Sequence, residues 1–422
     1  MRSPRRLRRV VALAVALVLF LTLLLHWRTN NPRFAPTKYP LLARYVTDRR
    51  RDGGVWYLPP EWTRGSGISP SNIVEAAECA LNLSRSTAQR QLPHSTIPLI
   101  LHQTWKNTNP ETWPDMFRQS TEKWLGAVED STMAYFLWDD DGIAQFIKSF
   151  EPGLEDQFYA LPSSVERSDV FRILVSKWIG GIIVKTLMSN NKYGDMDTEP
   201  IRSPTDWITS TDILSWRDPE TGHMYNSTEP VQAIVGLEAD CSPDTDLYWR
   251  MGYTYPVQLT QWSFAWTPRH PILQLFLDHL FMTLHIVSSN NNGHLESNSA
   301  QQEMYALDPL TFTGPVAFTD SVRMWLESTS GLRWNALSGL RDGGLSKLVG
   351  EVLVLPITGF SPGRGQYGNM GSKSVTDPSA RLVHHAQGSW RKTSLLVEYG
   401  KFCRTVFGRC RDWSKVPHNF IT

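Results

Sequence analysis

The sequence predicts an α/β domain with a mainly parallel central sheet, preceded by one transmembrane helix. Three observations carry this expectation. Short apolar runs alternate with helical patterns between residues 97 and 181, and a strand–helix–strand–helix succession builds parallel sheets. The apolar runs end in polar residues, as strands do when they deliver side chains to a site at their carboxyl ends. Near the N-terminus, an uncharged apolar run from Val10 to Leu25 follows the arginines Arg2, Arg5, Arg6, Arg8 and Arg9.

That run spans roughly 24 Å as a helix, short of a hydrocarbon core of about 30 Å but sufficient for a thinner bilayer with help from flanking residues. No small-residue cleavage signal follows it. The chain continues His26-Trp27-Arg28-Thr29-Asn30, which favours a retained anchor over a signal peptide. The arginines then stay cytoplasmic and the rest of the chain is lumenal. The expected organisation is a cytoplasmic tail over 1–9, an anchor over 10–27, a stem over 28–95, one folded domain over 96–392 and a C-terminal tail over 393–422. The stem is rich in Arg, Pro, Ser and Thr and lacks sustained periodicity, so little order is expected there.

Of the 422 residues, 41% are apolar, ample for one large core. Forty-two Lys and Arg balance 41 Asp and Glu, so no polycationic face marks a nucleic-acid partner. The cysteines are Cys79, Cys241, Cys403 and Cys410. In an oxidising compartment they permit two disulfides, with three pairings open; Cys403 and Cys410 could close a small loop. No CxxC spacing suggests a zinc site. Asn82 and Asn226 each begin a glycosylation sequon.

The first strand is expected at Ile97 to Trp105, with Pro98 at its start and His102, Gln103 and Thr104 at its polar end. The second is expected at Met133 to Trp138, ending in Asp139-Asp140-Asp141, with a helical pattern from Phe117 to Trp124 between them. The best-defined helix begins at Ser163, whose spacing to Glu166 is that of a capping box, and stops at Gly180-Gly181. Asp169 and Arg172 are three apart and share one face of it. Ser288 to Asn292 is expected to be a loop.

The sharpest local feature is Tyr193-Gly194-Asp195-Met196-Asp197-Thr198-Glu199-Pro200. Two carboxylates one residue apart can share a hard cation, which could also carry substrate phosphate and neutralise a departing diphosphate. A solvated acidic turn is the alternative.

Four blocks in order give that triplet a context: Ile97 to Lys106, Val165 to Gly181, Tyr193 to Pro200 and His384 to Arg391. Weaker matches are Tyr135 to Asp140, Gln261-Trp262 with His270-Pro271, and Thr313-Gly314-Pro315. With these the chain resembles the fungal Och1-like α-mannosyltransferases of glycosyltransferase family 32, over about residues 96 to 392. The resemblance implies a GT-A-like nucleotide-sugar-binding fold and a single-pass type II Golgi membrane protein. It implies retaining mannosyl transfer from GDP-mannose to a mannose-bearing glycan, of the α-1,6 initiation type, in protein N-glycosylation. The metal, Mn²⁺ or Mg²⁺, would sit on Asp195 and Asp197, with His385 as third ligand. Asp169, Arg172 and Tyr193 would hold the nucleotide sugar, Ser389 and Trp390 would close over the diphosphate, and His102, Gln103 and Trp105 would lie where the first strand meets the nucleotide. With no carboxylate placed as nucleophile, a front-side displacement is expected, the metal and Arg172 stabilising departing GDP. For Asp169–Arg172 the alternative is an exposed ion pair worth about 0.3–0.5 kcal/mol; for His385 it is a structural histidine. Trp105 and Trp262 are equally suited to the core.

The chain departs from the family's pattern at one place. Residues 183–192 intervene where the resembling sequences run directly from the glycine pair and its isoleucine into the tyrosine of the acidic motif. The segment loops out, or disables the enzyme, or is translated intron; the last accounts best for the intact flanking motifs. Two other classes stand beside the enzyme: a non-catalytic subunit of a multi-subunit Golgi glycosyltransferase complex, and a metal-dependent lumenal phosphohydrolase.

Overall fold

The computed structural model describes residues 17–18, 34–48, 53–184, 198–226, 230–364, 370–385 and 394–415. Of the expected anchor, only Leu17 and Val18 fall within these, and both are helical.

The first elements are β1 (Gly54–Tyr57), α1 (Ile73–Arg85), β2 (Ile100–Thr104), α2 (Asp115–Asp130), β3 (Ala134–Trp138), α3 (Asp140–Phe150), α4 (Ser164–Trp178) and β4 (Gly181–Val184). There follow β5 (Thr198–Pro200), β6 (Ala233–Asp240), β7 (Val257–Leu259), β8 (Ser263–Trp266), α5 (Pro271–Asn290), α6 (Pro315–Ser330), β9 (Lys347–Val349), β10 (Val352–Leu355), β11 (Leu382–His384) and α7 (Leu395–Phe407).

Nine strands form one sheet in the order β1-β3-β2-β4-β8-β6-β10-β9, with β7 paired to β6. Strands β3, β2 and β4 are mutually parallel, as are β6 and β10. Strand β8 is inserted antiparallel to both β4 and β6, so those five parallel strands share one direction. Strands β1, β7 and β9 oppose their neighbours. The sheet is therefore mixed around a parallel core, where a mainly parallel one was expected. Every residue of β2, β3, β4, β6, β8 and β10 is buried, and both faces are covered, as parallel strands require. His102, Phe136 and Trp138 stack on one face, where Trp138 also meets Phe146 of α3 and Phe171 of α4. On the other, Trp105 packs on Phe117 of α2.

The described residues between 34 and 95 are not a spacer. Strand β1 pairs antiparallel with β3 over its whole length, Val55 facing Leu137. Helix α1, capped by the Asn72 side chain, buries Ile73, Val74, Ala76, Ala77, Ala80 and Leu81. Upstream of both, the backbone N–H groups of Leu41 and Leu42 donate to the Glu122 carboxylate of α2 at 2.9 and 2.8 Å. The folded domain thus starts well before residue 96. Strand β1 is too short for a periodic signal, whereas α1 does carry a helical period, in Ile73, Val74, Ala76, Ala77, Ala80 and Leu81. The C-terminal segment is also structured, as α7 closed by a Cys403–Cys410 disulfide. Cys79 and Cys241 are free thiols; burial pushes Cys241 up to about 11.

Helix α5 is long and apolar enough to cross a membrane. It buries Ile272, Leu273, Phe276, Leu277, Leu280, Leu284 and Val287 within the domain, which accounts for that composition. It runs through Ser288 and Asn290, where a loop was expected. Asn82 is exposed on α1 and Asn226 is exposed before residues outside the description.

Candidate functional site

Helix α4 is the support of the site. The Ser163 hydroxyl accepts from the Glu166 N–H at 3.4 Å, and the Glu166 carboxylate accepts from the Ser163 N–H at 2.9 Å. That reciprocal pair satisfies two donors the first turn leaves open. Every residue from Ser168 to Ser176 is buried, so the helix is covered on all sides.

Asp169 and Arg172 are therefore interior groups, 6% and 1% exposed, and the exposed-pair alternative is excluded. Arg172 Nη2 donates to Asp169 Oδ1, and Nη1 donates to Ser168 Oγ at 3.1 Å. Thr313 Oγ1 lies 3.5 Å from Asp169 Oδ2. A buried ion pair persists only when such further bonds offset its desolvation. The Arg172 Nε–H is buried with no hydrogen-bond partner among the described residues.

From Asp169 a line of contacts leads away through Thr313. Its carbonyl accepts from Gln261 Nε2 at 2.8 Å, and the neighbouring Trp262 ring stacks on His384 with centroids 4.4 Å apart. Strand β11, which carries His384, pairs antiparallel with β5, setting His384 opposite Thr198. Thr198 follows Asp197 in the chain, and His385 follows His384. Helix α2 fixes this ribbon: Ser120 Oγ and Trp124 Nε1 both donate to the Thr198 carbonyl, at 2.6 and 2.9 Å. Glu199 Oε2 lies 2.5 Å from Lys123 Nζ and 3.5 Å from His385 Nε2. His385 is thus a part-exposed imidazole backed by a carboxylate, the setting of many metal-bound histidines. Tyr193, Asp195, Asp197, Ser389 and Trp390 lie outside the described residues. Among the described residues no group of three His, Cys, Asp or Glu is arranged to hold a cation.

The glycine pair sets where β4 enters the sheet. Gly180 and Gly181 have φ of +72° and +92°, and a Cβ on Gly181 would stand 2.5 Å from the Ile100 carbonyl oxygen. The close approach lets β4 run beside β2, with Ile183 between His102 and Phe264 and Val184 opposite Ser263. Ile183 and Val184, counted with the intervening segment in the sequence, are therefore integral strand residues. Residues 185–192 lie outside the description.

His102 is not a nucleotide contact. It is 1% exposed, with Nε2 3.0 Å from the Gly180 carbonyl and Nδ1 accepting from Trp138 Nε1 at 3.1 Å. Burial pulls it down to about 3, only partly countered by the Gly180 carbonyl. It is a neutral structural imidazole that ties the glycine turn to the sheet. Gln103 Oε1 accepts from Tyr135 Oη at 2.8 Å, while Gln103 Nε2 and Trp105 Nε1 are buried without partners among the described residues. Trp105, 2% exposed, is a core residue. Asp139 caps α3, accepting from the Gly142 N–H at 2.9 Å. An open cleft of 650 Å³ next to β5 is lined by Arg202, Thr205 and Asp206 and by none of Asp169, Arg172 or His385.

The sequence signalled neither Glu199 and Lys123 beside His385 nor Arg381, whose carbonyl accepts from the N–H groups of Ile201 and Arg202 at 2.9 and 3.0 Å. Its guanidinium donates to the buried Asp212 at 2.7 Å. Burial pushes Asp212 up, but the Arg381 charge and the Ser346 and Thr209 hydrogen bonds outweigh this and hold it low.

Comparison with known proteins gives this arrangement its class. The chain is 29% identical to the initiation-specific alpha-1,6-mannosyltransferase of Schizosaccharomyces pombe, over 73% of this chain and 67% of that one. Proteins of the same name from Candida albicans and Saccharomyces cerevisiae are 25% and 24% identical, over 72% and 70% of this chain and 77% and 78% of theirs. Among solved structures, the PaToxG glycosyltransferase aligns at 15% identity and a TM-score of 0.26, over 60% of this chain and 80% of that one. No family model matches. The chain is a glycosyltransferase. More narrowly, it is a homologue of the fungal Och1-like mannosyltransferases.

Proposed function

We propose that this glycosyltransferase transfers mannose from GDP-mannose to a mannose-bearing glycan, with retention, in a GT-A-like fold. The single observation that supports it most is the pairing of Thr198 with His384, which brings together the chain neighbours of Asp197 and His385. Asp195, Asp197 and His385 would hold Mn²⁺ or Mg²⁺; oxygen ligands with one imidazole suit either ion. When bound, such an ion neutralises charge on a diphosphate leaving group. The Arg172 guanidinium, already oriented by Asp169 and Ser168, would use its free Nε–H on a donor oxygen. Tyr193, Ser389 and Trp390 are assigned to the diphosphate from the resemblance. An α-1,6 linkage of the initiation type follows the names of the relatives. A Golgi location follows the family resemblance, and residues 10–27 as a type II anchor follow the arginine-flanked apolar run.

A donor screen on the full chain with Mn²⁺ and a mannose-terminated acceptor tests this. Mannose incorporation from GDP-mannose, lost in Asp197→Ala, is the expected result. Phosphate release without any acceptor identifies a phosphohydrolase instead. Donor binding without turnover, also after deletion of 185–192, identifies a non-catalytic subunit. Sequencing the spliced transcript shows whether those residues are encoded in the mature message.

A further inference from the structure

Helix α7 has its apolar side chains on the wrong face for a helix that only packs on its own domain. Its buried residues are small: Val397, Gly400 and Cys403. Its large ones face out. Leu395, Tyr399, Phe402 and Val406, at spacings of four, three and four, form one stripe, exposed by 93, 54, 55 and 49%. Spacing of this kind aligns side chains along a single line of a helix. Leu396 and Phe407, both 60% exposed, widen the stripe. An amphipathic surface helix normally does the reverse, so this face is built to be covered.

The loop behind the helix is held so as to extend that face. The Cys403–Cys410 disulfide closes it, and the backbone at Trp413–Ser414 lies so close to Gly400 that a Cβ there would meet it at 2.4 Å. Arg404 Nη1 donates to Ser414 Oγ at 2.7 Å. Trp413, 51% exposed, consequently stands 6.2 Å from the Tyr399 ring and continues the stripe. Charge in this segment is one-sided. Lys401, Arg404, Arg409, Arg411 and Lys415 stand against Glu398 and Asp412, and Arg409 and Arg411 are exposed on the loop carrying Trp413.

We propose that α7 and its disulfide-closed loop dock on the surface of a lipid bilayer. Leucine and aromatic side chains entering the headgroup boundary, flanked by arginines that meet lipid phosphate, are the composition of an interfacial helix. Complementary charge and the aromatic belt favour lipid over a second copy of the chain.

The test uses the full chain carrying Tyr399→Cys, labelled with an environment-sensitive fluorophore and reconstituted into phosphatidylcholine vesicles with and without phosphatidylserine. Met282→Cys, on the exposed side of α5, is the control, and the unsubstituted chain reports labelling at Cys79 and Cys241. Matching thermal melts establish that the labelled chains are folded. The expected result is a blue shift and several-fold quenching by acyl-chain-brominated lipid at 399, with or without phosphatidylserine, and neither at 282. A probe at 399 that bromolipid leaves unquenched while aqueous iodide reaches it overturns the proposal. One shielded from both also overturns it, and assigns the face to a protein.

Discussion

Arg172 lies against Asp169 inside α4, one helical turn apart, with neither side chain more than a tenth exposed. Taking one charge from such a pair strands the other in the interior. Asp169→Ala is expected to cost about 3–5 kcal/mol in urea unfolding. Asp169→Leu combined with Arg172→Met should recover much of that stability while mannosyl transfer stays absent. A single variant costing less than about 1 kcal/mol would show that the pair is solvated.

The pH dependence of stability follows from His102. Burial holds its folded-state value near 3, against an ordinary 6.5. Above 6.5 the ring is neutral folded and unfolded, and its contribution is complete. Between 6.5 and about 3 the unfolded chain takes up a proton that the folded one refuses, so stability falls as pH falls. One such group contributes a slope of about 1.4 kcal/mol per pH unit. Urea midpoints compared between about pH 7 and pH 5, where few carboxylates titrate, should decline in the native chain and much less in His102→Gln. Equal declines would assign the effect to another group.

Gly181→Ala probes the entry of β4. A positive φ alone costs an L-residue on the order of 1–3 kcal/mol, and here the added carbon also meets the Ile100 carbonyl. The expected phenotype is a large drop in thermal midpoint with activity lost in parallel. An unchanged midpoint would mean that the turn can relax without disturbing β2.

Local chemistry explains what the sequence disclosed. The capping box at Ser163 and the glycine pair are signals carried by neighbouring residues, and the structure keeps both; the polar ends of β2 and β3 instead serve as buried sheet contacts and a helix cap. Partners distant in the chain were hidden. Nothing near His102 announces that its ring will meet the Gly180 carbonyl, and Asp212 finds Arg381 across 169 positions. The interior position of Asp169 and Arg172 was equally hidden, because charged residues three apart on a helix look solvent-facing until the helix is surrounded. Gln261 and Thr313 showed only as weak family matches, yet they connect Asp169 to the ribbon beside His385.

Strand β1 carries a practical lesson about where this protein can be cut. It occupies the flank of β3, whose every residue is apolar. A shortened chain beginning near residue 96 would leave that flank with open amide and carbonyl groups along a sticky border, an invitation to strand-to-strand polymerisation. A secretable fragment should therefore begin ahead of Phe34.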